Sequence, residues 1–282
     1  ETFQDGALLV RRKLLKRKPD SKITRPRVVV LGSGWGAHAM IKMIDTEKFD
    51  LVVVSPRNYF VFTPMLASSA VGTVELRSVC EPIRQCNEFM DYYEGKCIEI
   101  NAAEKKIICE HTGESSSQGR FEVPYSYLVV AVGAAVNTFG IPGVQENLMF
   151  LKEVSDAARL RRAIVDRFER ANLPETTDVE RARLLHFVIV GGGPTGVELT
   201  AELNDFLRQD LNRFYPKLVG EVRLTLLEAG GSILTQFDEK LQKRALERFS
   251  KLGVTVQTGA MVTRVTAETM YLKDGSALDY GM

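Results

Sequence analysis

The sequence has few of the side chains that most catalytic sites depend on. Only three histidines, His38, His111 and His186, occur among 282 residues. They form no convincing Ser/His/Asp arrangement, so they read as structural or exposed. The four cysteines, Cys80, Cys86, Cys97 and Cys109, include no CxxC pair. No Cys/His spacing suits zinc, so no metal is expected. Reduced, partly buried thiols fit the pattern, and with them a reducing compartment. No apolar run reaches the roughly 18 residues of a bilayer-spanning helix, which leaves peripheral membrane contact open. The net charge of +1 gives no general reason to expect nucleic acid. What is present is ordinary for a globular chain: 45% hydrophobic and 26% charged residues, in a length suited to one large domain or two of common size.

Residues 1–24 are polar and basic. Six of the eight residues from Arg11 to Lys18 are Lys or Arg. This stretch reads as a solvated extension, with contact to an acidic membrane surface or the end of a targeting segment as the alternative. Arg27 to Leu31 (RVVVL) is a short β-branched run of the kind buried on both faces of a parallel sheet. Glycines 32–36 follow, then helical spacing from Ala37 to Ile44, then a second apolar run at Leu51 to Val54. That is one βαβ unit. Short alternating runs at Cys97–Ile100, Lys106–Cys109 and Phe121–Val123 predict an antiparallel meander beside this sheet. Tyr127 to Val132 reads as a further strand, closed by Gly133.

Residues 152–170 predict a helix with Ala158, Ile164, Val165 and Phe168 on one face. Asn172 to Arg183 is polar and reads as a linker. The strand–glycine–helix–strand pattern then returns: strand His186 to Val190, a long helix to about Phe214, and strand Val222 to Leu227. Asp238 is placed to cap a helix running to Lys251. Strands at Val254–Val256, Met261–Ala267 and Thr269–Leu272 follow, with a turn at Asp274-Gly275. The segments are therefore 1–24, 25–150, 151–185 and 186–282.

The first glycine loop, Gly32-Ser33-Gly34-Trp35-Gly36-Ala37, fits GxGxx(G/A) on Gly32, Gly34 and Ala37. The second, Gly191-Gly192-Gly193-Pro194-Thr195-Gly196, is a full GxGxxG on Gly191, Gly193 and Gly196. In this motif one glycine permits a tight turn, one lets the backbone approach a pyrophosphate, and one lets helix and strand pack closely. The helix start then offers free N–H groups to the phosphates. One such loop is a weak signal. Two, each after a predicted strand and opening a predicted helix, are a strong one.

An acidic residue usually ends the second strand of such a unit and holds a ribose. Glu228, closing VRLTLLE, fills that role in the second unit and points to NADH rather than NADPH. The first unit departs from the rule with Ser55-Pro56-Arg57. Arg57 could meet an NADP 2′-phosphate. Equally, Ser55 could bond a ribose while Arg57 meets a phosphate of a flavin dinucleotide. The local rule does not choose between them.

Four segments, VVSPRNYFVFTPML, GTVELRSVCEPIR, VAVGAAVNTFGIPGV and VIVGGGPTGVELTAEL, resemble the type II (alternative, non-proton-pumping) NADH:quinone oxidoreductases. The likeness runs from about Arg27 to the end and is nearer the mitochondrial branch, because bacterial members usually carry an acid where Ser55 stands. It implies an α/β fold of two Rossmann-like dinucleotide-binding domains, of pyridine nucleotide-disulfide oxidoreductase type, with a small antiparallel β-meander. Segment 25–150 would be the first part of an FAD-binding domain, 151–185 a helix and linker, and 186–282 an incomplete NADH-binding domain. Gly32, Gly34, Trp35, Gly36 and Ala37 would cradle the FAD pyrophosphate, and Ser55, Pro56 and Arg57 its adenosine end. Thr63 and Pro64 would lie beside the isoalloxazine ring, and Gly133 near the pyrophosphate. Gly191, Gly193, Pro194, Thr195 and Gly196 would take the NADH phosphates, with Glu228 on the ribose. Glu198 would sit close to flavin and nicotinamide as the residue nearest the chemistry.

The resemblance implies hydride transfer from NADH to FAD, then two electrons to a membrane quinone, the cofactors carrying the chemistry. It further implies a peripheral protein of the mitochondrial inner membrane, with a plastid or bacterial membrane ranked behind, and a homodimer in the full protein. Both ends of the sequence, Glu1 and Met282, read as cut. The quinone site and the membrane-binding helices are expected beyond Met282, and the fragment alone is expected to lack activity and stable flavin. Two rivals stand beside this reading. A disulfide reductase of the same architecture needs a redox CxxxxC pair, a spacing that Cys80 and Cys86 miss by one residue. A redox-sensing flavoprotein with little turnover is the other.

Overall fold

The computed structural model describes residues 25–112 and 119–282. The basic extension and most of the polar loop after His111 lie outside them. The chain forms two compact units. One holds the described residues up to Val61 together with Cys80–Ala135. The other holds Phe62–Val79 and Val136–Met282. These units follow packing, whereas the boundaries read from the sequence follow motif order, so the two divisions do not coincide.

In the first unit, β1 (Arg27–Leu31) lies between β2 (Asp50–Ser55) and β9 (Tyr127–Val130), and β5 (Asp91–Glu94) extends the sheet beyond β2. All three pairings are parallel. Both faces of the sheet are covered, which is why its strands read as unbroken apolar runs. Val28, Val30, Leu51 and Val53 pack with Ala37 and Ile41 of the helix Trp35–Met43. The alternate residues Val29, Leu31, Val52 and Val54 pack with Ile107, Cys109 and Val123. Those last three belong to the antiparallel meander β6 (Lys96–Asn101), β7 (Lys106–Glu110) and β8 (Arg120–Pro124). The meander therefore covers one face of the parallel sheet. A short hairpin pairs β3 (Tyr59–Val61) with β4 (Cys80–Pro82).

The second unit repeats the plan. Strands β10 (His186–Val190), β11 (Arg223–Glu228) and β12 (Thr255–Thr258) are parallel. Leu226 enters the larger core, with Phe168, Phe187 and Leu203. Its neighbour Leu227 points the other way, to Val262, Val265 and Met270. Those residues come from the antiparallel sheet of β13 (Val262–Val265), β14 (Thr269–Leu272) and β15 (Ala277–Asp279).

Three local expectations are corrected. The helix Val154–Ala171 buries Ala157, Leu160, Ile164, Phe168 and Ala171. Ile164 and Phe168 are on the expected face, but Ala158 and Val165 are exposed, because the stripe at steps of three and four passes through Ala157 instead. The polar stretch Asn172 to Arg183 is no simple linker. It contains most of the helix Asp178–Leu184, whose cap Thr177 accepts from the Glu180 N–H at 3.2 Å. Ion pairs such as Arg183–Glu180 at 2.6 Å line its surface, so its polarity is that of a solvated helix face. Strand β9 ends at Val130, two residues short of the expected Val132. The Asp238 cap is as read: its carboxylate accepts from the Lys240 N–H at 2.9 Å. Among the described residues, no helix is long and apolar enough to cross a membrane.

Candidate dinucleotide sites

At the first loop the chain leaves β1 through Gly32, whose φ of +112° only glycine adopts readily. A Cβ there would lie 2.3 Å from the Ala131 carbonyl oxygen. The helix Trp35–Met43 starts directly afterwards, with Gly34 as its N-cap and no side-chain cap. Gly34 itself has no side chain to offer the first turn, whose N–H groups point to where an anion would be favoured. Ala37 is fully buried, as the close helix–strand contact requires. Gly34 is different from Gly32. Its φ is −83°, and the nearest atom to an added methyl would be Arg57 Nη2 at 4.0 Å. Nothing in the fold demands glycine at 34, whereas a pyrophosphate approaching the backbone would.

Ser55 occupies the place of the usual acid, but it faces inward. It is 3% exposed. Its hydroxyl donates to Ser33 Oγ at 3.0 Å and accepts from the Arg57 N–H at 3.2 Å. The Arg57 guanidinium also donates from Nε to Ser33 Oγ at 3.3 Å and lies over the Tyr59 ring. Ser55 thus braces the loop and aims Arg57. Tyr92, which no sequence motif marks, donates from its hydroxyl to the Ser55 carbonyl at 2.7 Å. Burial, with Glu94 nearby, pushes its pKa well above the ordinary tyrosine value. Pro56 is exposed. Trp35 is half-exposed and stands edge-on to Phe60, with ring centroids 5.0 Å apart. Gly133 follows β9 with φ +73° and open space around it.

The second loop copies the backbone of the first. Gly191 has φ +111° and donates to the Leu227 carbonyl at 2.8 Å, as Gly32 does to Val54. A Cβ on Gly196 would lie 2.0 Å from the Gly191 carbonyl oxygen, so this glycine is required by packing. Gly193 has φ −74° and no atom within 4 Å of a Cβ, so again only a ligand would require glycine. It is the N-cap of the helix Pro194–Phe206, and Pro194 opens the helix. Thr195 and Glu198 lie in its first turns, and both are exposed. Glu228 ends β11, and its carboxylate accepts from the Gly192 N–H at 2.6 Å and the Gly230 N–H at 2.5 Å. Each oxygen retains a second lone pair, so two ribose hydroxyls can still be bound. No sequence rule for such loops marks Gly192 or Gly230 for this part.

Thr63 and Pro64 lie in the second unit, in the exposed turn Thr63–Met65. The helix Leu66–Val71 continues from this turn, and Ser68 and Thr73 donate to the Glu202 carboxylate at 2.8 and 3.3 Å. These bonds tie the segment to the helix that starts at the second loop.

The two histidines of the sheets and helices are structural. His186 is buried, with Nδ1 2.6 Å from the Asp279 carbonyl oxygen and Nε2 2.9 Å from Thr225 Oγ1. His38 stacks on Phe60 and meets Glu81 at 2.8 Å. His38, Glu81 and Cys86 are the one group among the described residues with ligand atoms close enough, within 4.8 Å, to hold a metal. The Lys42 ammonium is already 3.0 Å from the Glu81 carboxylate. Burial pushes the Glu81 pKa up, but the bonds from Lys42 and His38 outweigh this and hold it below its ordinary value. Burial and then Glu81 raise the Cys86 thiol to about 11. The cluster is complete as an ion-pair network.

The family model for pyridine nucleotide-disulphide oxidoreductases matches residues 26–282. The chain is 49% identical over 267 residues to the mitochondrial external alternative NAD(P)H-ubiquinone oxidoreductase B2 of Arabidopsis thaliana, covering 92% of this chain and 46% of that protein. It is 44% identical over 271 residues to a probable NADH dehydrogenase of Dictyostelium discoideum, covering 95% of this chain and 59% of that one. The chain thus spans about half the length of the curated relatives it matches. Among solved structures, NDH2 from Plasmodium falciparum in complex with NADH superposes with a TM-score of 0.88 at 31% identity, over 92% of this chain and 54% of that one. Two strand–glycine–helix units of one geometry and a match over nearly every described residue lead to one conclusion: the chain belongs to the pyridine nucleotide-disulphide oxidoreductase family.

Proposed function

We propose that this chain is the FAD- and NADH-binding part of a type II NADH:quinone oxidoreductase. The observation that carries the reading is the pair of glycines, Gly34 and Gly193, that the fold itself does not need. Both stand at uncapped helix N-termini, where a pyrophosphate binds through backbone N–H groups. The names of the similar proteins, NAD(P)H-ubiquinone oxidoreductase and NADH dehydrogenase, support the same assignment.

In this reading Gly32, Gly34, Trp35, Gly36 and Ala37 hold the FAD pyrophosphate. Arg57, aimed by Ser33 and Ser55, neutralises phosphate charge, with Pro56 beside it. Gly133 is a further flavin contact in the same unit, and Thr63 and Pro64 keep the role toward flavin that the resemblance implies for them. Gly191, Gly193, Pro194, Thr195 and Gly196 hold NADH, and Glu228 holds its ribose. FAD, when bound there, would supply the two-electron redox chemistry between NADH and a quinone, without proton pumping. The protein's part is to bind, orient and exclude water. Glu198 shapes the charge at the start of the second helix, near the nicotinamide. Because two backbone amides fix the Glu228 carboxylate, a 2′-phosphate meets a negative charge that cannot turn away, and NADH is preferred over NADPH.

The full protein acts as a peripheral homodimer on the mitochondrial inner membrane; the mitochondrial name of the Arabidopsis relative supports the compartment. Steady-state oxidation of NADH by the full-length protein, with and without a short-chain quinone, tests the assignment. Quinone-dependent turnover that survives alkylation of the thiols is expected. Turnover that needs a disulfide substrate and free thiols would replace this reading with a disulfide reductase.

A further inference from the structure

Cys97 and Cys109 belong to no sequence motif, yet the fold sets them face to face. Cys97 on β6 and Cys109 on β7 are direct partners in the antiparallel register. Residues so paired have Cα atoms about 4.5–5.5 Å apart, inside the roughly 4.4–6.8 Å that a disulfide spans. The pairing shifts register between Cys97 and Glu99, a bulge that adds local twist and room to adjust. Both thiols are free.

Their surroundings differ. Cys109 is fully buried in the core between the meander and the parallel sheet. Burial, then the neighbouring Cys97 thiol, which is also its hydrogen-bond partner, raise its pKa to about 12. Cys97 is only half-buried, on the edge strand of the meander, with its thiol 3.4 Å from the Glu99 carbonyl oxygen. Cys97 packs against the same core but keeps partial exposure, whereas Cys109 has none.

We propose that Cys97 and Cys109 form a reversible redox dithiol that closes to a disulfide under hydrogen peroxide. Cys97, as its thiolate, attacks one peroxide oxygen. The O–O bond breaks, and the leaving hydroxide takes up the thiol's proton as water. Cys97 is now a sulfenic acid. The Cys109 sulfur attacks the Cys97 sulfur, the S–O bond breaks, and a second water leaves with the Cys109 proton. Two thiols and one peroxide thus give one disulfide and two waters. Cys109, buried and protonated, serves as the resolving thiol, and the attacking role falls to the accessible Cys97. The product staples the edge strand β6 to β7 beneath the parallel sheet. The assignment is independent of the reading of the dinucleotide sites.

The test uses the full-length protein, reduced, freed of reductant and exposed to hydrogen peroxide. Free thiols are blocked with iodoacetamide in denaturant, and the chain is cut with trypsin without reduction. Cleavage after Lys96, Lys105, Lys106 and Arg120 separates the two cysteines, so a bond between them appears as peptides 97–105 and 107–120 joined with the loss of two hydrogens. That species is expected to be the main product, and dithiothreitol should remove it. Cys80 and Cys86, which are not cross-strand partners, should remain blocked as free thiols. The variant Cys109→Ser should trap Cys97 as a sulfenic acid that reacts with dimedone. Full alkylation of both cysteines after peroxide would overturn the proposal. So would Cys97 advancing to sulfinic acid with no cross-link in the unsubstituted protein, a measurement that requires no variant to fold.

Discussion

Replacing Gly193 with alanine separates two roles that glycine plays in the second loop. At φ −74°, with nothing within 4 Å of the new methyl, the folded chain accepts the change. The loss of unfolded-state freedom favours the variant by about 0.4–1 kcal/mol. Alanine is a poorer helix N-cap than glycine by a similar amount, about 0.5–1 kcal/mol. The net change should stay within about 1 kcal/mol, a melting shift of no more than roughly 4 °C for a unit of this size. Binding should respond differently. The methyl occupies the space through which a pyrophosphate reaches the backbone, and one lost charge-assisted hydrogen bond is worth about 1.5–3 kcal/mol. NADH affinity should fall about 10- to 100-fold. Gly196→Ala is the contrast, because its methyl would overlap the Gly191 carbonyl oxygen at 2.0 Å. It should lower the melting temperature and binding together. Thermal melts and NADH fluorescence titrations on the full-length protein provide both readings. Unchanged NADH affinity in Gly193→Ala, or an unchanged melt in Gly196→Ala, would refute the reasoning.

Three further outcomes follow from named contacts. Glu228→Ala removes the carboxylate that binds the Gly192 and Gly230 amides; the ratio of kcat/KM for NADH over NADPH should fall about 10- to 100-fold, the equivalent of one charged hydrogen bond, and an unchanged ratio would clear Glu228 of a role in selectivity. Phe168, fully buried and stacked on Phe187, should cost about 3–5 kcal/mol of stability when changed to alanine, read from urea unfolding. Burial holds the His186 pKa below its ordinary value of 6.5, so the unfolded chain takes up that proton first. The stabilisation is therefore complete above about pH 6.5 and is lost as pH falls below it, by at most about 1.4 kcal/mol per unit. Urea melts at pH 7.5 and 5.5 should show a smaller acid-side loss in His186→Gln than in the parent protein, and equal losses would count against it.

The parts of the fold that are legible in the sequence share one property: a local pattern that packing leaves intact. RVVVL and HFVIV read as buried strands because both faces of each sheet are covered, and the glycine loops read as loops because Gly32 and Gly191 need positive φ. The failures arise where tertiary contacts choose among equal local options. Ala157 and Ala158 offer the helix the same methyl, and only the position of the core selects Ala157. Asp178–Leu184 resembles a linker because ion pairs, not apolar residues, cover its surface. Ser55 stands at the end of β2, where a ligand-facing residue is expected, but its hydroxyl turns to Ser33, a partner 22 positions away that no strand-end rule includes. The Cys97–Cys109 pairing depends on the register of the meander, which alternation alone does not set.

That β1 is apolar on both faces bears on how the sheet finds its alignment. In a strand with one wet face, a slip of one residue exposes its hydrophobic set, and water itself polices the register. Here a slip would trade valine for valine between two dry layers, so solvent gives almost no correction. Alignment must instead be read at the end of the strand, where Gly32 donates to the Val54 carbonyl and passes so close to Ala131 that no other residue fits. The loop proposed to hold a dinucleotide is thus also the ruler by which the sheet is assembled, and replacing Gly32 should appear first as misfolded chains and only afterwards as lost affinity.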